Sequence, residues 1–185
     1  MISPLHRSTS LSFADGMDIL IVSDTHGKND RLADLVARVR PTVLLFLGDG
    51  LRDLAVVDEN EVTVRAVRGN CDWFMASDLP LSRVEVFGNT RIFMTHGHSL
   101  GVKGGLSHAL VAAAAANADV LLYGHTHVPL ERTYPEGYVL ENGGRLEKPL
   151  LVVCPGSLGE PRDRTPTFAT LTIRENGILA GFGKL

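Results

Sequence analysis

Cysteine is scarce in this chain. Two stand among 185 residues, Cys71 and Cys154, far apart and in no C-x-x-C pair. Neither a disulfide framework nor a cysteine-built zinc site is expected, and the pattern fits a reduced, cytoplasmic protein. Charge of one sign is also lacking, since the formal net charge is −3. No broad basic field offers itself to nucleic acid, so none is expected as a partner. No apolar run reaches the roughly 18 residues of a membrane span, and no membrane partner is expected. The opening MISPLHRSTSLSFADG is polar and mixed, without an apolar core, and does not read as a secretory leader. Residues 1–16 read as an N-terminal arm, flexible by default, or as an extension ahead of a second start at Met17. His6, within that arm, receives no function.

What is present suits one globular domain over residues 17–185. The composition is 44% hydrophobic and 21% charged, ordinary for a packed protein of this length. DILIVS (18–23) is a continuous β-rich run, as in a strand buried on both faces. A helix is predicted over 30–40 from the spacing of Leu32, Leu35, Val36 and Val39, with Asn29 as its cap and Pro41 closing it. Strands follow at 42–48 and 62–69 around a short helix near 51–57. Residues 84–97 read as a hairpin turning at Gly88-Asn89. The alanine-rich stretch 105–118 reads as a helix that can approach a sheet closely, and 119–124 as the next strand. Strands are then expected at 128–134, 138–141, 150–153, 167–173 and 177–182, separated by Gly- and Pro-bearing turns. Alternating strands and helices followed by a run of strands predict a sheet-centred α/β layered domain, with function in the loops past the strand ends.

Those loops share a chemistry. The first strand ends in SDTHG, with Asp24 and His26, and the second in GDG, with Asp49. The third ends in GNCD, with Asn70, Cys71 and Asp72. The hairpin ends in THGH, with His96 and His98, and the strand before residue 125 in GHTH, with His125 and His127. Each motif alone is ordinary: an Asp after a strand is commonly a turn residue. Together they would bury much polarity at one edge unless a cation used it. Carboxylate, amide oxygen and imidazole donors suit a hard-to-borderline divalent ion. Seven candidate ligands (Asp24, His26, Asp49, Asn70, His96, His125, His127) exceed one ion's needs. Two ions sharing a carboxylate would use them all.

In that order, DTH, GDG, GNCD, THGH and GHTH resemble the calcineurin-like metallophosphoesterase superfamily, and the GNC variant resembles its small YfcE-type phosphodiesterases. The likeness runs from about Met17 to the end and includes CPGS at 154–157. It implies a four-layer αββα sandwich of two mixed sheets flanked by helices, with two metal ions at the strand ends. Manganese comes first, with nickel, iron, zinc or cobalt as alternatives. It further implies that Asp24, His26 and His127 bind one ion, that Asn70, His96 and His125 bind the other, and that Asp49 bridges them. His125 and His127, which would point the same way in an extended chain, would then serve different ions. The reaction implied is hydrolysis of a small phosphodiester by metal-activated hydroxide, with Asp49 and Asn70 in the catalytic set. A homodimer or homotetramer is compatible with the resemblance.

The chain departs from the superfamily at Cys71. Many members carry histidine there, paired with the following aspartate to protonate the leaving group. Here Asp72 lacks that partner, which favours diesters over monoesters with poor leaving groups. Cys71 reads as a small residue on the substrate side. His98 is the candidate for a substitute acid or a phosphate contact. Arg52, Arg68, Lys103 and Arg162 are further phosphate candidates, while His108 reads as a structural helix residue and Cys154 as a packed strand residue. The alternatives are a phosphomonoesterase or nucleotidase of the same fold, and a non-catalytic scaffold like the retromer subunit that shares it.

Overall fold

The computed structural model describes residues 17–72 and 78–185. The expected arm at 1–16 lies outside them. Among the described residues, ten strands form two five-stranded sheets. The first has the order β10-β9-β1-β2-β3, from β1 (Met17–Val22), β2 (Val43–Phe46), β3 (Thr63–Ala66), β9 (Thr167–Arg174) and β10 (Gly177–Lys184). The second has the order β4-β5-β6-β8-β7, from β4 (Ser82–Phe87), β5 (Thr90–Thr95), β6 (Val120–Tyr123), β7 (Leu130–Tyr134) and β8 (Leu150–Cys154). Both are mixed. β1, β2 and β3 run parallel, with β9 and β10 antiparallel beside them. In the other sheet β5, β6 and β8 run parallel between antiparallel β4 and β7.

Helix α1 (Asn29–Val39) buries Leu32 and Leu35 on the outside of the first sheet, against Leu20, Leu44 and Phe46. Helix α2 (Ser107–Ala115) buries Ala109, Leu110 and Ala113 on the outside of the second, against Leu121 and Val152. Between the sheets lie Ile19, Ile21, Leu45, Met94, Leu122, Val153 and Leu171. The strands therefore alternate sides, one face to the shared interior and the next to a helix. This explains why the central runs DILIV and VLLF are apolar without a break. The result is the expected αββα sandwich.

Some expected boundaries shift for local reasons. Asn29 is the first helical residue, not the cap: Lys28 precedes it without a side-chain capping bond. The helix stops at Arg40, which is left-handed with φ 49°, so the turn is made before Pro41. The segment after Gly50 is a 3-10 helix, Leu51–Val56. α2 is shorter than predicted, held between Gly105 (φ 147°) and the left-handed Asn117 (φ 50°). Strand β7 begins only after Pro129, which has no N–H to give a ladder. No strand forms at 138–141: a single bridge, Val139 to Arg145, closes a turn through Gly143 that lays Leu140 and Leu146 on the second sheet.

Candidate metal centre

The parallel strands of both sheets deliver their C-terminal loops to one edge of the sandwich. There the backbone is held in an unusual way. Asp24, His26, Asp49, His125 and His127 all have left-handed backbone, with φ between 45° and 67°. Such φ values are uncommon for residues with a Cβ and persist where surrounding structure over-determines them. The loops also interlock: Asp24 N–H donates to the Gly48 carbonyl, His26 N–H to that of Asp49, and Gly124 N–H to that of His96. Gly124 must lack a side chain, since a Cβ there would stand 2.0 Å from Ser23 Oγ and 2.9 Å from Asp24 Oδ2.

All seven candidate ligands come together. His127 Nε2 lies 3.0 Å and His26 Nε2 3.7 Å from Asp24 Oδ1, and the two Nε2 atoms are 3.4 Å apart. His96 Nε2 lies 3.1 Å from both Asn70 Oδ1 and His125 Nδ1. Asp49 Oδ2 stands between the two groups, 3.9 Å from His26 Nε2 and 3.3 Å from His96 Nε2. Asp24, His26 and His127 could hold one cation, and Asp49, His96 and His125 another. His125 and His127 do not run in extended chain; their left-handed backbones splay the rings to opposite halves of the cluster.

The chemistry of these donors fits cations. His96 Nδ1–H donates to the Leu47 carbonyl at 2.8 Å and His127 Nδ1–H to the Glu160 carbonyl at 2.6 Å. A carbonyl only accepts, so Nδ1 carries a proton in both; Nε2 presents a lone pair when the ring is neutral and a second N–H when it is charged. Nε2 of His127 faces Asp24 Oδ1, and Nε2 of His96 faces Asn70 Oδ1 and Asp49 Oδ2. Asp24 is fully buried. Its Oδ2 accepts from Ser23 Oγ and from His125 N–H, while no donor is aligned on Oδ1. Nε2 atoms facing carboxylate oxygens in a buried site call for positive charge between them, which histidine protons supply in metal-free protein and a cation can replace.

The titration behaviour follows. Burial pushes the Asp24 carboxyl upward, but His127, His26 and His96 outweigh it and hold it well below the usual range. Asp49 is likewise brought down to about 2 against its burial, mainly by His96. The imidazole of His26 is raised by Asp24, as is that of His127; His96 is raised by Asp49 and Asp24 in spite of burial. His125 falls to about 4 through burial and the positive neighbours His96 and Lys103.

Other expected residues take varied places. His98 opens a single 3-10 turn beside the cluster, with ring centroids 5.4 Å from His96 and 6.1 Å from His125. Its Nδ1 is buried without a hydrogen-bond partner, and burial and His96 lower its pKa. Cys71 shares a cavity of about 320 Å³ with His26, Asp49, Arg52 and Asp72. Desolvation and Asp49 push its thiol up to about 11 in the metal-free protein, the opposite of activation. Arg52 lines that cavity, Arg68 acts on His98 through its charge, and Lys103 on His125. Arg162 is exposed in the loop after Glu160. His108 is not a packed structural residue: it is exposed, second in α2, because the helix starts later than predicted. Cys154 is fully buried, as expected, and its thiol is pushed up to about 12.

Several supporting residues were not legible in sequence. Buried Asp53 accepts from Gly27 N–H at 2.9 Å and from the Thr25 hydroxyl, tying the His26 loop to the loop after β2. Ser157 Oγ donates to the Asp24 carbonyl and accepts from Glu160 N–H, and Arg31 donates to the Leu158 and Gly159 carbonyls. This pins the residue whose carbonyl orients His127. The CPGS motif was the one available signal.

Layered sheets with an acidic, histidine-rich edge define a class of metal-dependent phosphoesterases. Residues 17–176 match the model of the calcineurin-like phosphoesterase superfamily domain, and the chain belongs to that family. It is 30% identical over 189 residues to the phosphodiesterase YfcE of Escherichia coli K12, covering 89% of this chain and 90% of that protein. A solved structure from Streptococcus pneumoniae, described as a predicted phosphoesterase, superposes with a TM-score of 0.72 at 25% identity, covering 91% of this chain and 90% of that one. Vps29 of Chaetomium thermophilum shares the fold, with a TM-score of 0.65 at 22% identity over 94% and 97% of the two chains.

Proposed function

We propose that this protein is a metal-dependent phosphodiesterase that hydrolyses a small phosphodiester at a dinuclear centre, with manganese as the first candidate ion. The observation that carries this is the convergence of the Nε2 atoms of His26, His96 and His127, two of them with Nδ1–H held by a carbonyl, on the carboxylates of Asp24 and Asp49, with Asp24 Oδ1 buried and without a hydrogen-bond donor. Asp24, His26 and His127 would hold one ion, Asn70, His96 and His125 the other, with Asp49 Oδ2 shared between them. Oxygen and imidazole donors without thiolate suit a hard-to-borderline divalent ion, manganese, iron, cobalt, nickel or zinc. When bound, the ions would supply a hydroxide near neutral pH and neutralise charge on the phosphoryl group.

The chain's own residues do the rest. The Leu47 and Glu160 carbonyls keep the protons of His96 and His127 away from the centre, so Nε2 stays a donor to a cation. Asp49 is anchored through Oδ1 by Cys71 N–H at 2.7 Å, and its Oδ2 faces His26 and His96, where Asp49 would serve as the shared ligand. His98 flanks His96 and His125, and Arg52 lines the cavity beside Cys71; each would be placed to meet a phosphate oxygen. Cys71 puts no imidazole on the leaving-group side. A diester with an acidic alcohol needs least help there, which supports a diester substrate over a monoester.

The test compares a chromogenic diester with its monoester, with Mn²⁺ or with chelator, for wild type and Asp49→Asn. Diester turnover that requires metal and is lost in the variant is expected. Chelator-resistant turnover, or full activity in Asp49→Asn, would overturn the dinuclear reading, and preferential monoester cleavage would move the substrate class.

A further inference from the structure

Asp72, an orphan by its sequence context, is fully engaged in the fold. It is 7% exposed and accepts four hydrogen bonds, all from backbone amides. Oδ2 accepts from Asp49 N–H at 2.7 Å and Gly69 N–H at 2.9 Å. Oδ1 accepts from Gly50 N–H at 2.9 Å and Leu51 N–H at 3.0 Å. A carboxylate has about four lone-pair directions, and here each meets an N–H.

We propose that Asp72 is a positioning residue for the metal centre, locking the loop that presents Asp49 to the loop that presents Asn70, and that it has no capacity left to orient a proton donor. The inference rests on Asp49 and Asn70 being ligands, as proposed above. The lock has two sides. Asp72 collects the amides of residues 49–51, while Cys71 N–H returns a bond to Asp49 Oδ1. Gly69 lets the loops close: a Cβ there would stand 2.1 Å from Asp49 Oδ1 and 2.5 Å from Asp49 N. Only an acceptor-only group suits this place. An amide would turn its NH₂ toward two N–H donors and leave them buried without a partner. With Cys71 beside it, no acid–carboxylate pair exists here. The contribution of Asp72 to rate therefore passes through metal ligation and is blind to the leaving group.

Asp72→Asn tests this by two readouts. Calorimetric titration with Co²⁺ is expected to show affinity weakened by about 10- to 100-fold. Across aryl methyl phosphodiesters of rising phenol pKa, kcat/KM is expected to fall by one common factor. Unchanged Co²⁺ affinity, or a loss that grows with phenol pKa, would overturn the proposal. Leu35→Ala is the control for general destabilisation: its Tm should fall while Co²⁺ affinity holds. The titration needs no substrate, so a wild type that binds Co²⁺ but cleaves no diester defeats the functional reading alone. Should Asp72→Asn not fold, amide exchange in the metal-free wild type decides. Slow exchange at Asp49, Gly50, Leu51 and Gly69 supports the lock, and fast exchange at these four overturns it.

Discussion

At the scale of single residues, the centre is a contest over protons. His26, His96 and His127 have pKa values raised by carboxylates, so in metal-free protein they add stability below the unfolded value near 6.5 that is lost as pH rises through their folded values. His125, depressed to about 4, acts oppositely: its contribution is present above 6.5 and is lost as pH falls toward 4. Asp49, depressed to about 2, adds stability that is lost from about pH 4 downward. Metal-free protein should therefore be most stable near pH 6 to 6.5. Added Mn²⁺ should move that maximum upward, because it replaces the histidine protons. Melting curves across pH with and without Mn²⁺ check this; coincident maxima would count against it. Cys71 decides a second matter. Cys71→His places an imidazole on the cavity wall, and general acid catalysis by one group is typically worth 10²- to 10⁴-fold. Because Asp72 is committed to amides, the gain should fall near the low end. Monoester turnover relative to diester should rise about a hundredfold, measured as the ratio of kcat/KM values.

At the scale of elements, strands and their exits were readable where they carried long apolar runs or a hairpin turn. The β4–β5 turn forms at Gly88-Asn89 as expected, and β1, β2 and β6 stand within a residue or two of their predicted places. Elements depending on a cap or on distant packing were read less well. Asn29 has the chemistry of a cap, but the chain turns into α1 one residue earlier. Arg40 ends α1 in a conformation glycine prefers. Arg40→Gly should remove a left-handed cost of about 1–2 kcal/mol, offset by glycine's added unfolded-state entropy of about 0.5–1 kcal/mol. A net gain of roughly 0.5–1 kcal/mol in denaturant unfolding is expected. Gly124→Ala should do the reverse at the exit of β6. The new methyl would collide with Ser23 Oγ and displace Asp24 Oδ2, so Co²⁺ affinity should fall even where the fold survives. Calorimetric titration of that variant measures it.

For the whole molecule, bound metal and folding are coupled through one edge. The ions would contact loops from both sheets, so their removal should loosen the sandwich as a unit. At free metal 100-fold above Kd, binding adds about 2.7 kcal/mol, which for a chain of this size is roughly 5–10 °C in Tm. Chelator should lower the wild-type Tm by about that much and leave Asp49→Asn nearly unmoved. A chelator-insensitive wild type would mean that the edge holds no structural or catalytic ion.

The order of the donor motifs, their glycine neighbours and the run lengths between them were determined by the sequence alone. These sufficed for a sheet-centred α/β layered domain and for the seven residues now seen within a few ångströms of one another, while the αββα sandwich followed from the family likeness that the motifs carry. They are short-range signals, written in adjacent residues and needing no partner to be read. Tertiary structure alone decided what those residues can do. The proton of His96 is placed by a carbonyl 49 positions away in the chain and that of His127 by one 33 positions away. The left-handed backbones exist because neighbouring loops clamp them. Asp53 and Asp72 gain their roles only when the loops after β1, β2 and β3 are stacked side by side. Lone pairs converge through long-range packing, and no local pattern of residue types specifies where a lone pair points.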